Sequence, residues 1–577
     1  MKILSLHCDY IKFKPVKKAI KEPEELKKEQ EKEKKIDEVL VIFTAVEKQD
    51  EENKNIVKQY IENIKDLADK VKAENIVLYP YAHLSSQLSA PAFAQKTLEE
   101  VEKLLKDDKK LKVERAPFGY YKEFELRCKG HPLAELSREI KAEGTAKGKA
   151  IEKVEEEKYN PKQLLEQISR TKLDTRSLKE NDHRIIGQKL DLFSFNETAP
   201  GMVFWHNNGK IIYNELINLW REEHTKAGYQ EILTPQILDK RLWQISGHWE
   251  KYRENIFLTK YEGRDFAVKP MNCPGGMLVY KTNTRSYRDF PLRVAELGIV
   301  HRQELSGVLG GLFRVIQFTQ DDAHIYCTDD KEQQEKEIIG VIDLIDKFYN
   351  KVFKFDYHVE LSTRPEKRIG SDEMWDKAEK ILEDVLKKKK MKYKLNPRDG
   401  AFYGPKIDFH IKDSLGRTWQ CATIQLDFAM PERFDLKYTT ENNKLERPVM
   451  LHRTVYGSVE RFIGVLLEHL NGNLPVWLSP IQVRVLSFTD RNIKAAEKIL
   501  KSLQEQGIRT DSDFDSTTVN EKVRNAELRK IPYIIVIGDK EEKNKTLAVR
   551  ERGQKLKFGV KVESFLKKLK GKIEKRE

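Results

Sequence analysis

The stretch from 301 to 324 constrains the fold of this chain more than any other. Residues 294–304 form a strand-like run that ends in charge, a glycine-rich connection occupies 307–311, and a second strand-like run covers 313–318. Two such runs joined by a glycine loop predict an antiparallel hairpin.

Charged side chains of this hairpin suit a phosphorylated ligand. Alternation can put Arg302 and Glu304 on one face of the first strand, and Arg314 lies on the predicted returning strand. A guanidinium can hold a phosphate through two hydrogen bonds, a nearby carboxylate can accept from an exocyclic amine, and Phe318 can stack on a base. Exposed Arg–Glu pairs on an ordinary sheet explain the same residues, since such pairs are common and weak. The hairpin alone leaves both interpretations open.

Length and composition narrow the class of protein. The 577 residues leave room for about three or four domains. A formal charge of +13 favours a polyanionic partner, although lysine-rich solubilising faces produce the same excess. Five scattered cysteines do not fit a disulfide framework and indicate a reducing cytosol. No run of about 18 apolar residues and no signal-peptide core occur, so we expect a cytoplasmic protein without a membrane anchor.

The pattern changes along the chain in a way that predicts separate domains. Strand and helix patterns alternate over 1–140, which predicts an α/β layer. Residues 141–180 are highly charged and indicate a linker. Residues 181–477 contain the hairpin, and 478–577 return to alternating strands and helices, which predicts a small α/β domain.

Possible metal ligands carry little signal by spacing alone. Cys273, His324 and His452 are far apart in the sequence and are most simply a buried thiol and two hydrogen-bonded imidazoles. Cys128 and His131 have a metal-like spacing, but no second pair accompanies them. Neither the H-E-x-x-H pattern nor the P-loop pattern occurs, which argues against a bare zinc hydrolase and against a P-loop ATP site.

Several motifs occur together in the order found in one family. They are K-P-M-N-C-P (269–274), the hairpin with F-T-Q-D-D-A-H (318–324), F-Y-G-P-K-I-D (402–408), W-Q-C (419–421), Q-L-D-F (425–428), and L-H-R with G-S-V-E-R-F-I-G (451–464). These segments resemble class II aminoacyl-tRNA synthetases and, among them, the threonyl-tRNA synthetases. The resemblance implies a class II catalytic core on an antiparallel sheet, a homodimer built through the helix, strand and proline of 211–235, and an ATP-dependent threonine–tRNA ligase reaction.

The resemblance also implies how threonine is recognised. The implied zinc ligands are Cys273, His324 and His452. The implied threonine contacts are Gln320, Asp322, Tyr403 and Gln420. A pocket that requires a hydroxyl rejects valine strongly, because the metal and Asp322 would be left unpaired. Serine lacks only a methyl group, worth roughly 1–3 kcal/mol, so a second site that removes serine is expected.

A further set of residues is implied for ATP and catalysis. The implied ATP contacts are Arg302, Glu304, Arg314, Phe318 and Arg461, with Mg²⁺ bridging the phosphates. The implied catalytic residues are Arg302, Arg461 and His248. No protein nucleophile is required, since positioning and charge stabilisation carry the attack of the threonine carboxylate on the α-phosphorus. His248 would assist proton transfer at the terminal ribose of tRNA, and is otherwise an ordinary surface imidazole.

The N-terminal region resembles the editing domain of archaeal threonyl-tRNA synthetases. The matching segments are Y-P-Y-A-H-L-S-S (79–86), A-P-F-G-Y-Y-K (116–122) and C-K-G-H-P-L-A-E-L-S-R (128–138). That domain is similar in fold to D-aminoacyl-tRNA deacylases, and the resemblance implies hydrolysis of mischarged seryl-tRNA. The implied editing residues are His83, Tyr121, Lys122 and Glu135.

The C-terminal region resembles the anticodon-binding domain that several class II synthetases share. The implied anticodon contacts are Lys522, Arg524, Glu541 and Arg550. Splayed anticodon bases can be read on their edges by such side chains, so tRNA(Thr) is the expected nucleic-acid partner.

Three positions depart from the family pattern, and two other functions stay open. The departures are Gly276, Gly310 and Ile316, which concern loop details and contacts to the tRNA end. A non-catalytic RNA-binding relative is one alternative, although it would not need the three arginines and the zinc set together. A synthetase for another amino acid, such as proline or serine, is the other.

Overall fold

The computed structural model describes residues 1–20, 22–85, 87–108, 110–131, 133–140, 160–168, 178–413 and 416–577. Contacts divide the chain into two compact units, Met1–Glu155 and Glu156–Glu577, each with hydrophobic cores of its own. Most of the predicted linker at 141–180 lies outside the described residues. In the part of the chain that is described, no helix has both the length and the apolar content needed to cross a membrane.

The first unit is a mixed six-stranded sheet with two helices. Its elements are β1 (Lys2–Lys18), β2 (Lys34–Ala45), α1 (Ile56–Val71), β3 (Asn75–Pro80), α2 (Pro91–Lys106), β4 (Lys112–Arg115), β5 (Tyr120–Cys128) and β6 (Glu135–Glu139). The strand order is β4-β3-β2-β1-β5, with β6 also pairing with β1. The pairs β2–β3 and β3–β4 are parallel, and β1 runs antiparallel to each of its neighbours.

Alternation along the strands gives this sheet two apolar faces. One face, which includes Leu40 and Ile42, packs with Tyr60 and Ile64 of α1 and with residues of α2. The opposite face forms a second cluster with aromatic rings that extends to the end of β5. Sequence periodicity predicted the helices closely, but β1 continues well past the predicted end at residue 6 and passes Pro15 through a bulge.

The second unit begins with the core that contains the hairpin. Its helices are α3 (Pro161–Ile168), α4 (His183–Lys189), α5 (Asn207–Lys226), α6 (Lys240–Ile245), α7 (His248–Lys251), α8 (Cys273–Tyr280), α9 (Lys331–Asp346), α10 (Asp372–Lys388), α11 (Ala429–Arg433) and α12 (Val459–His469). Its strands are β7 (Phe193–Ser194), β8 (Phe204–Trp205), β9 (Gln230–Glu231), β10 (Ile237–Asp239), β11 (Leu258–Tyr261), β12 (Arg264–Val268), β13 (Leu292–His301), β14 (Gln317–Cys327), β15 (Tyr357–Ser362), β16 (Tyr393–Asn396), β17 (Lys406–Lys412), β18 (Thr418–Asp427), β19 (Tyr438–Thr439), β20 (Leu445–Glu446) and β21 (Val449–Thr454).

Eight of these strands form one large sheet in the order β16-β15-β17-β18-β21-β14-β13-β9. All the pairs from β15 to β13 are antiparallel, and only the two edge pairs are parallel. Helices α9, α10 and α12 pack on this sheet through a continuous apolar core. The hairpin is therefore a pair of inner strands, β13 and β14, in an antiparallel sheet.

The predicted bounds of the hairpin strands are wrong. The strands are Leu292–His301 and Gln317–Cys327, so Arg302, Glu304 and Arg314 lie in the connection between them and not on the strands. Apart from Arg314, residues 312–316 are apolar and buried, and they are fixed by contacts outside the ladder, including a 2.7 Å hydrogen bond from Ile316 N to Gly201 O. An apolar run of this kind suggests a strand by composition alone, and the tertiary contacts decide otherwise.

A five-stranded α/β domain completes the second unit. Its elements are β22 (Val483–Ser487), α13 (Ile493–Glu505), β23 (Thr510–Asp513), α14 (Val519–Leu528), β24 (Tyr533–Ile537), α15 (Asp539–Asn544), β25 (Thr546–Glu551), β26 (Lys557–Lys561) and α16 (Val562–Lys575). The order is β23-β22-β24-β25-β26, with the first three strands parallel. Arg509 joins this domain to the core, since it donates to Trp477 O and, at 2.7 Å, to Glu215.

Candidate active site

Three metal-ligand side chains that are distant in the sequence meet in the core. Strands β14 and β21 pair so that His324 lies directly opposite His452, and their rings are 5.0 Å apart. Cys273 reaches the same point from the first residue of α8. All three side chains are buried, and their donor atoms lie within 4.8 Å of one another. One sulfur and two imidazole nitrogens at this separation are a donor set that suits zinc.

A carboxylate behind the cluster orients one of the imidazoles. Asp427 Oδ2 lies 2.8 Å from His452 Nε2, while its other oxygen accepts from the backbone N–H groups of Ala429 and Met430 at 2.8 and 2.9 Å. With Nε2 engaged, His452 has Nδ1 free to face the cluster. A carboxylate behind a histidine in this way is a common support for a metal ligand. The sequence analysis did not single out Asp427.

Burial sets the protonation of the cluster when no cation is bound. Burial lowers the pKa of His324 far below its ordinary value, so this imidazole is neutral and can donate a lone pair. Burial raises the pKa of the Cys273 thiol, and the carboxylates of Asp322 and Asp427 add to the effect. A cation is therefore what would make the Cys273 thiolate favourable, since metal binding releases the thiol proton.

Asp322 stands beside the cluster with both oxygens held by amides. Asn272 Nδ2 donates to Oδ2 at 2.8 Å, and Gln320 Nε2 donates to Oδ1 at 2.9 Å. Asn272 is fully buried and fits because Gly298, directly opposite Gln320 in the ladder, leaves room for its amide. Burial raises the pKa of Asp322. The fixed carboxylate offers remaining lone pairs to a ligand hydroxyl.

Two other residues predicted for threonine also lie near this point. The Tyr403 ring lies 5.0 Å from the His452 ring, and its hydroxyl donates to Gln425 at 2.7 Å. Gln420 lies on β18, where its amide donates to Asp408 at 2.6 Å and to Thr423 at 3.1 Å. The structure therefore brings the four predicted threonine contacts to one cavity.

The residues predicted for ATP line the other part of that cavity. Arg302 lies over the Phe318 ring at 5.1 Å and donates to Pro270 O at 3.2 Å. Arg461 donates to Phe313 O at 2.9 Å and to Gln420 O at 3.1 Å. Arg314 forms an ion pair with Glu304 at 2.7 Å. Three guanidinium groups thus converge on the space next to the side chains of Cys273, His324 and His452.

One cavity of about 530 Å³ joins these groups. Its lining includes the three cluster ligands, the four predicted threonine contacts and all five predicted ATP contacts. At one end are buried polar donors, and at the other are arginines beside an aromatic ring. This arrangement can hold a small polar molecule next to a polyphosphate.

His248 does not line this cavity. The side chain is fully buried, with Nδ1 at 2.8 Å from Ser246 Oγ and Nε2 at 2.8 Å from the Met271 sulfur. Burial lowers its pKa to about 3, with the charge of Arg302 as the next cause. The alternative of a surface imidazole is wrong, because the His248 ring is buried and lies against Met271.

The first unit has a separate pocket of about 470 Å³ with aromatic walls. His83, Tyr121 and Lys122 line it, as do other aromatic residues, namely Tyr79, Tyr81, Phe118, Tyr120 and Phe124. Lys122 Nζ donates to Pro117 O at 2.8 Å and to Tyr120 O at 3.1 Å. Burial lowers the pKa of Lys122 to about 8. A lysine of this kind can exchange a proton near neutral pH.

Glu135 is not brought to this pocket. Glu135 pairs with Leu6 across β6 and β1, whereas Lys122 pairs with Pro15 across β5 and β1. The nine-residue separation of Leu6 and Pro15 on one strand corresponds to about 30 Å. Within this unit, the four predicted editing residues therefore divide into three that share a pocket and one that does not.

The four predicted anticodon residues differ in exposure. Lys522 is buried and donates to Ser487 O and Oγ at 3.2 Å, and Glu541 accepts from Gly538 N at 3.2 Å. Arg550 pairs with Glu527 at 2.7 Å, and Arg524 is exposed. An exposed aromatic residue, Phe488, lies beside Gly538 at the ends of β22 and β24. The sequence analysis did not single out Phe488, which a strand end followed by an aromatic residue could have indicated.

Comparisons with known proteins bear on all three regions. Residues 1–140 match the model of the archaea-specific editing domain of threonyl-tRNA synthetase. Residues 257–470 match the class II tRNA synthetase core domain (G, H, P, S and T), and 482–572 match an anticodon binding domain.

Two threonine–tRNA ligases and a solved structure are similar to this chain over most of its length. The chain is 54% identical over 432 residues to the threonine–tRNA ligase of Desulforamulus reducens, which covers 75% of this chain and 67% of that protein. It is 57% identical over 375 residues to the threonine–tRNA ligase of Carboxydothermus hydrogenoformans, covering 65% of this chain and 59% of that one. The RNA binding domain of threonyl-tRNA synthetase from Cryptosporidium parvum Iowa II superposes with a TM-score of 0.65 at 40% identity, over 68% of this chain and 98% of that structure.

The chain belongs to the threonyl-tRNA synthetase family. The predicted family and fold class are therefore confirmed, with an archaeal-type editing domain, a class II core on an antiparallel sheet and an anticodon-binding domain. Of the three implied zinc ligands, the two that are furthest apart in sequence, Cys273 and His452, are neighbours in space.

Proposed function

We propose that this chain is a threonine–tRNA ligase. It would activate L-threonine with ATP to give threonyl-adenylate and pyrophosphate, and then transfer threonine to the 3′-terminal adenosine of tRNA(Thr). The observation that carries the proposal is the position of Asp322 and the cluster of Cys273, His324 and His452 in one cavity with three converging arginines. Threonine requires a site that binds a hydroxyl and an amine, and the phosphates of ATP require the positive charge of the arginines.

The donor set supports a zinc ion as the resident metal. Sulfur from Cys273 and nitrogens from His324 and His452 are preferred zinc ligands, and Asp427 already fixes one imidazole from behind. When bound, zinc would supply a coordination position for the amino and hydroxyl groups of threonine. Three protein ligands are what a zinc site with such an open position requires.

Asp322 gives the pocket its demand for a hydroxyl. Its two oxygens are fixed by Asn272 and Gln320, so the carboxylate cannot turn away when the ligand lacks a donor. Valine would leave this carboxylate unpaired and is therefore rejected strongly. Serine carries the same hydroxyl and differs by one methyl group, so it is rejected weakly.

The arginines support the activation step. Arg302 lies between the amino-acid end and the phosphate end of the cavity, where it can hold the α-phosphate. Arg314 and Arg461 can hold the outer phosphates, with the adenine against Phe318 and Glu304 nearby. Mg²⁺ would arrive with ATP and offset the phosphate charge. His248 would reach the tRNA ribose only after Met271 moves, so its role stays a prediction.

We further propose that the first unit hydrolyses seryl-tRNA(Thr). The aromatic pocket with Lys122 supports this, because Lys122 has two carbonyl partners and a pKa close to the working pH. His83 and Tyr121 line the same pocket and complete the proposed site. Glu135 stays a prediction that the geometry of this pocket does not support.

The remaining partners and boundaries are also proposals. A homodimer is supported by the exposed apolar side chains Leu233 and Ile237 that flank Pro235. We keep 1–140, 141–180, 181–477 and 478–577 as domain bounds, and the cytoplasm as the location. For the anticodon, we propose that Arg524, Arg550 and Phe488 contact bases, with Lys522 and Glu541 supporting the loops from behind.

Amino-acid-dependent ATP–pyrophosphate exchange tests the proposal. We expect exchange with threonine, weaker exchange with serine and almost none with valine. Exchange that is absent with all amino acids would favour a non-catalytic tRNA-binding protein. Exchange that is faster with proline or serine than with threonine would indicate a synthetase for another amino acid.

A further inference from the structure

A buried histidine outside the cavity holds the loop that carries Arg314 and that contacts Arg461. His183 is the first residue of α4 and is fully buried, as is Glu468 near the end of α12. His183 Nδ1 lies 2.8 Å from Glu468 Oε1, and Leu312 N donates to His183 Nε2 at 2.9 Å. Leu312 lies in the connection between β13 and β14. One imidazole therefore links two helices of the core to the hairpin loop.

The backbone donor fixes the tautomer of this ring. An N–H group can only donate, so Nε2 of His183 must carry the lone pair and Nδ1 must carry the proton that Glu468 accepts. Glu468 Oε1 also accepts from the backbone N of His183 at 3.1 Å, and Oε2 accepts from Arg417. The ring therefore has a defined donor side and a defined acceptor side.

The loop is shaped to reach the histidine. Gly311 has a φ of +55°, and a Cβ at this position would lie 2.2 Å from His183 Nε2. The glycine is therefore required by both conformation and space. The next ring along, Phe313, lies 4.3 Å from the His183 ring and stacks on Trp419 at 4.1 Å. The loop is thus held from one side by a hydrogen bond and from the other by stacking.

This anchor is connected to the proposed ATP contacts through one residue. The carbonyl oxygen of Phe313 accepts from Arg461 Nε at 2.9 Å, and Arg314 is the next residue in the loop. Both arginines line the cavity. Releasing Leu312 would let the Phe313 carbonyl shift and would remove the fixed orientation of the Arg461 guanidinium.

Asp182, His183 and Glu468 also have donor atoms within 4.8 Å of one another, which is a metal-like arrangement. Their partners argue against a cation there. Both ring nitrogens of His183 are used, Arg184 binds both oxygens of Asp182, and Arg417 lies on Glu468. Two guanidinium groups already supply the positive charge that a metal would bring.

We infer that His183, oriented by Glu468, is a positioning residue for ATP binding, which it serves by fixing the loop that places Arg314 and Arg461. The inference rests on the proposed ligase function. It assigns His183 no contact with either substrate.

Three substitutions at one position separate the two sides of the ring. His183→Gln places an amide oxygen near the Nε2 position and keeps an acceptor for Leu312, whereas His183→Asn reaches only Glu468, and His183→Ala reaches neither. We expect the KM for ATP in pyrophosphate exchange to rise about five- to fiftyfold in His183→Ala and His183→Asn, and to be largely rescued in His183→Gln. The KM for threonine should stay within about twofold, because no threonine contact depends on this loop bond.

The chain offers a matched control and a metal test. The half-exposed His358 lies 3.4 Å from Glu360, so His358→Gln changes a His–Glu pair outside the cavity and should leave both KM values unchanged. The metal content per chain should be the same in all His183 variants. A loss of metal in His183→Ala would show that Asp182, His183 and Glu468 form a metal site, and it would overturn the inference.

Other results also decide the matter. If the KM for ATP and the KM for threonine are the same in every variant as in wild type, the positioning role is overturned. A fall in kcat in all variants without any change in the KM for ATP would overturn it too. If His183→Ala fails to fold, the contrast between the Asn and Gln variants still tests the inference. Wild-type protein without any exchange would contradict the proposed function instead, so the two failures are distinguishable.

Discussion

The two candidate pockets are lined by different kinds of side chains. The core cavity ends in buried polar groups, with the ligand atoms of Cys273, His324 and His452 within 4.8 Å of one another and a carboxylate held by two amides. The pocket of the first unit is lined by aromatic rings and has one half-buried lysine as its main charged group. The first can demand a particular functional group, whereas the second can hold a flat or apolar surface next to a proton acceptor.

The difference teaches how one selectivity problem is divided. A demand for a hydroxyl separates threonine from valine, because the penalty falls on unpaired buried groups. The same demand cannot separate threonine from serine, since both carry the hydroxyl and one methyl group contributes only roughly 1–3 kcal/mol. A second pocket with unrelated chemistry is therefore useful only if it acts on the product made from serine.

Removing the lysine amine should have the largest effect on the editing side of this comparison. In Lys122→Met, the aliphatic stem stays and the amine that donates to Pro117 and Tyr120 is lost. We expect deacylation of seryl-tRNA(Thr) to fall by about two orders of magnitude or more, with threonine-dependent exchange unchanged. Lys129→Met, at a partly buried lysine that pairs with Glu38, is the matched control. Equal deacylation rates in wild type and Lys122→Met would remove the editing assignment.

Weakening the hydroxyl acceptor should have the next largest effect. In Asp322→Asn, one oxygen becomes an NH2 group that faces either Asn272 or Gln320, and the charged acceptor for the ligand hydroxyl is replaced by one neutral carbonyl oxygen. The ratio of kcat/KM for threonine over valine should fall by about ten- to a hundredfold. Exchange assays with both amino acids measure this ratio, and Asp265→Asn, at a partly exposed carboxylate that pairs with Lys240, is the control. An unchanged ratio would mean that Asp322 does not contact the hydroxyl.

The pH dependence of editing should show a smaller effect. Burial lowers the Lys122 pKa to about 8, and the neutral amine keeps two N–H donors for its carbonyl partners and one free lone pair. If that lone pair accepts the proton of the attacking water, deacylation should rise severalfold from pH 7 to pH 9 and level off above the pKa. The rate in Lys122→Met, subtracted at each pH, corrects for the spontaneous hydrolysis of the ester. A corrected rate that falls across this range would assign the ammonium form instead.

Local sequence patterns predicted helices well and strand ends poorly. The apolar spacing over 55–72 matches α1, Ile56–Val71, because one helical face packs on the sheet. Residues 312–316 look like a strand but form a loop, since Gly311 and His183 hold them outside the ladder. Strands β23 and β26 were not predicted, because both are short, β23 is polar throughout and a glycine interrupts β26.

The candidate site could be predicted only through motifs. Cys273, His324 and His452 meet because of the register of β14 with β21 and the start of α8, which no spacing in the sequence records. The roles of the supporting residues Asp427, Asn272 and His183 were not predicted, although the first two lie within the matching motifs, because these roles depend on which groups the fold brings next to them. The resemblance grouped Glu135 with Lys122, although the strand register places these two residues far apart in this structure.

The most direct test of the central claim is ATP–pyrophosphate exchange with threonine before and after removal of the metal. Wild-type protein should contain about one zinc per chain, lose threonine-dependent exchange on prolonged chelation, and regain it with added zinc. Cys273→Ala should lack the metal and the activity, whereas Cys327→Ala, at a buried cysteine outside the cluster, should keep both. Full exchange in metal-free protein, with threonine still preferred over valine, would contradict the account.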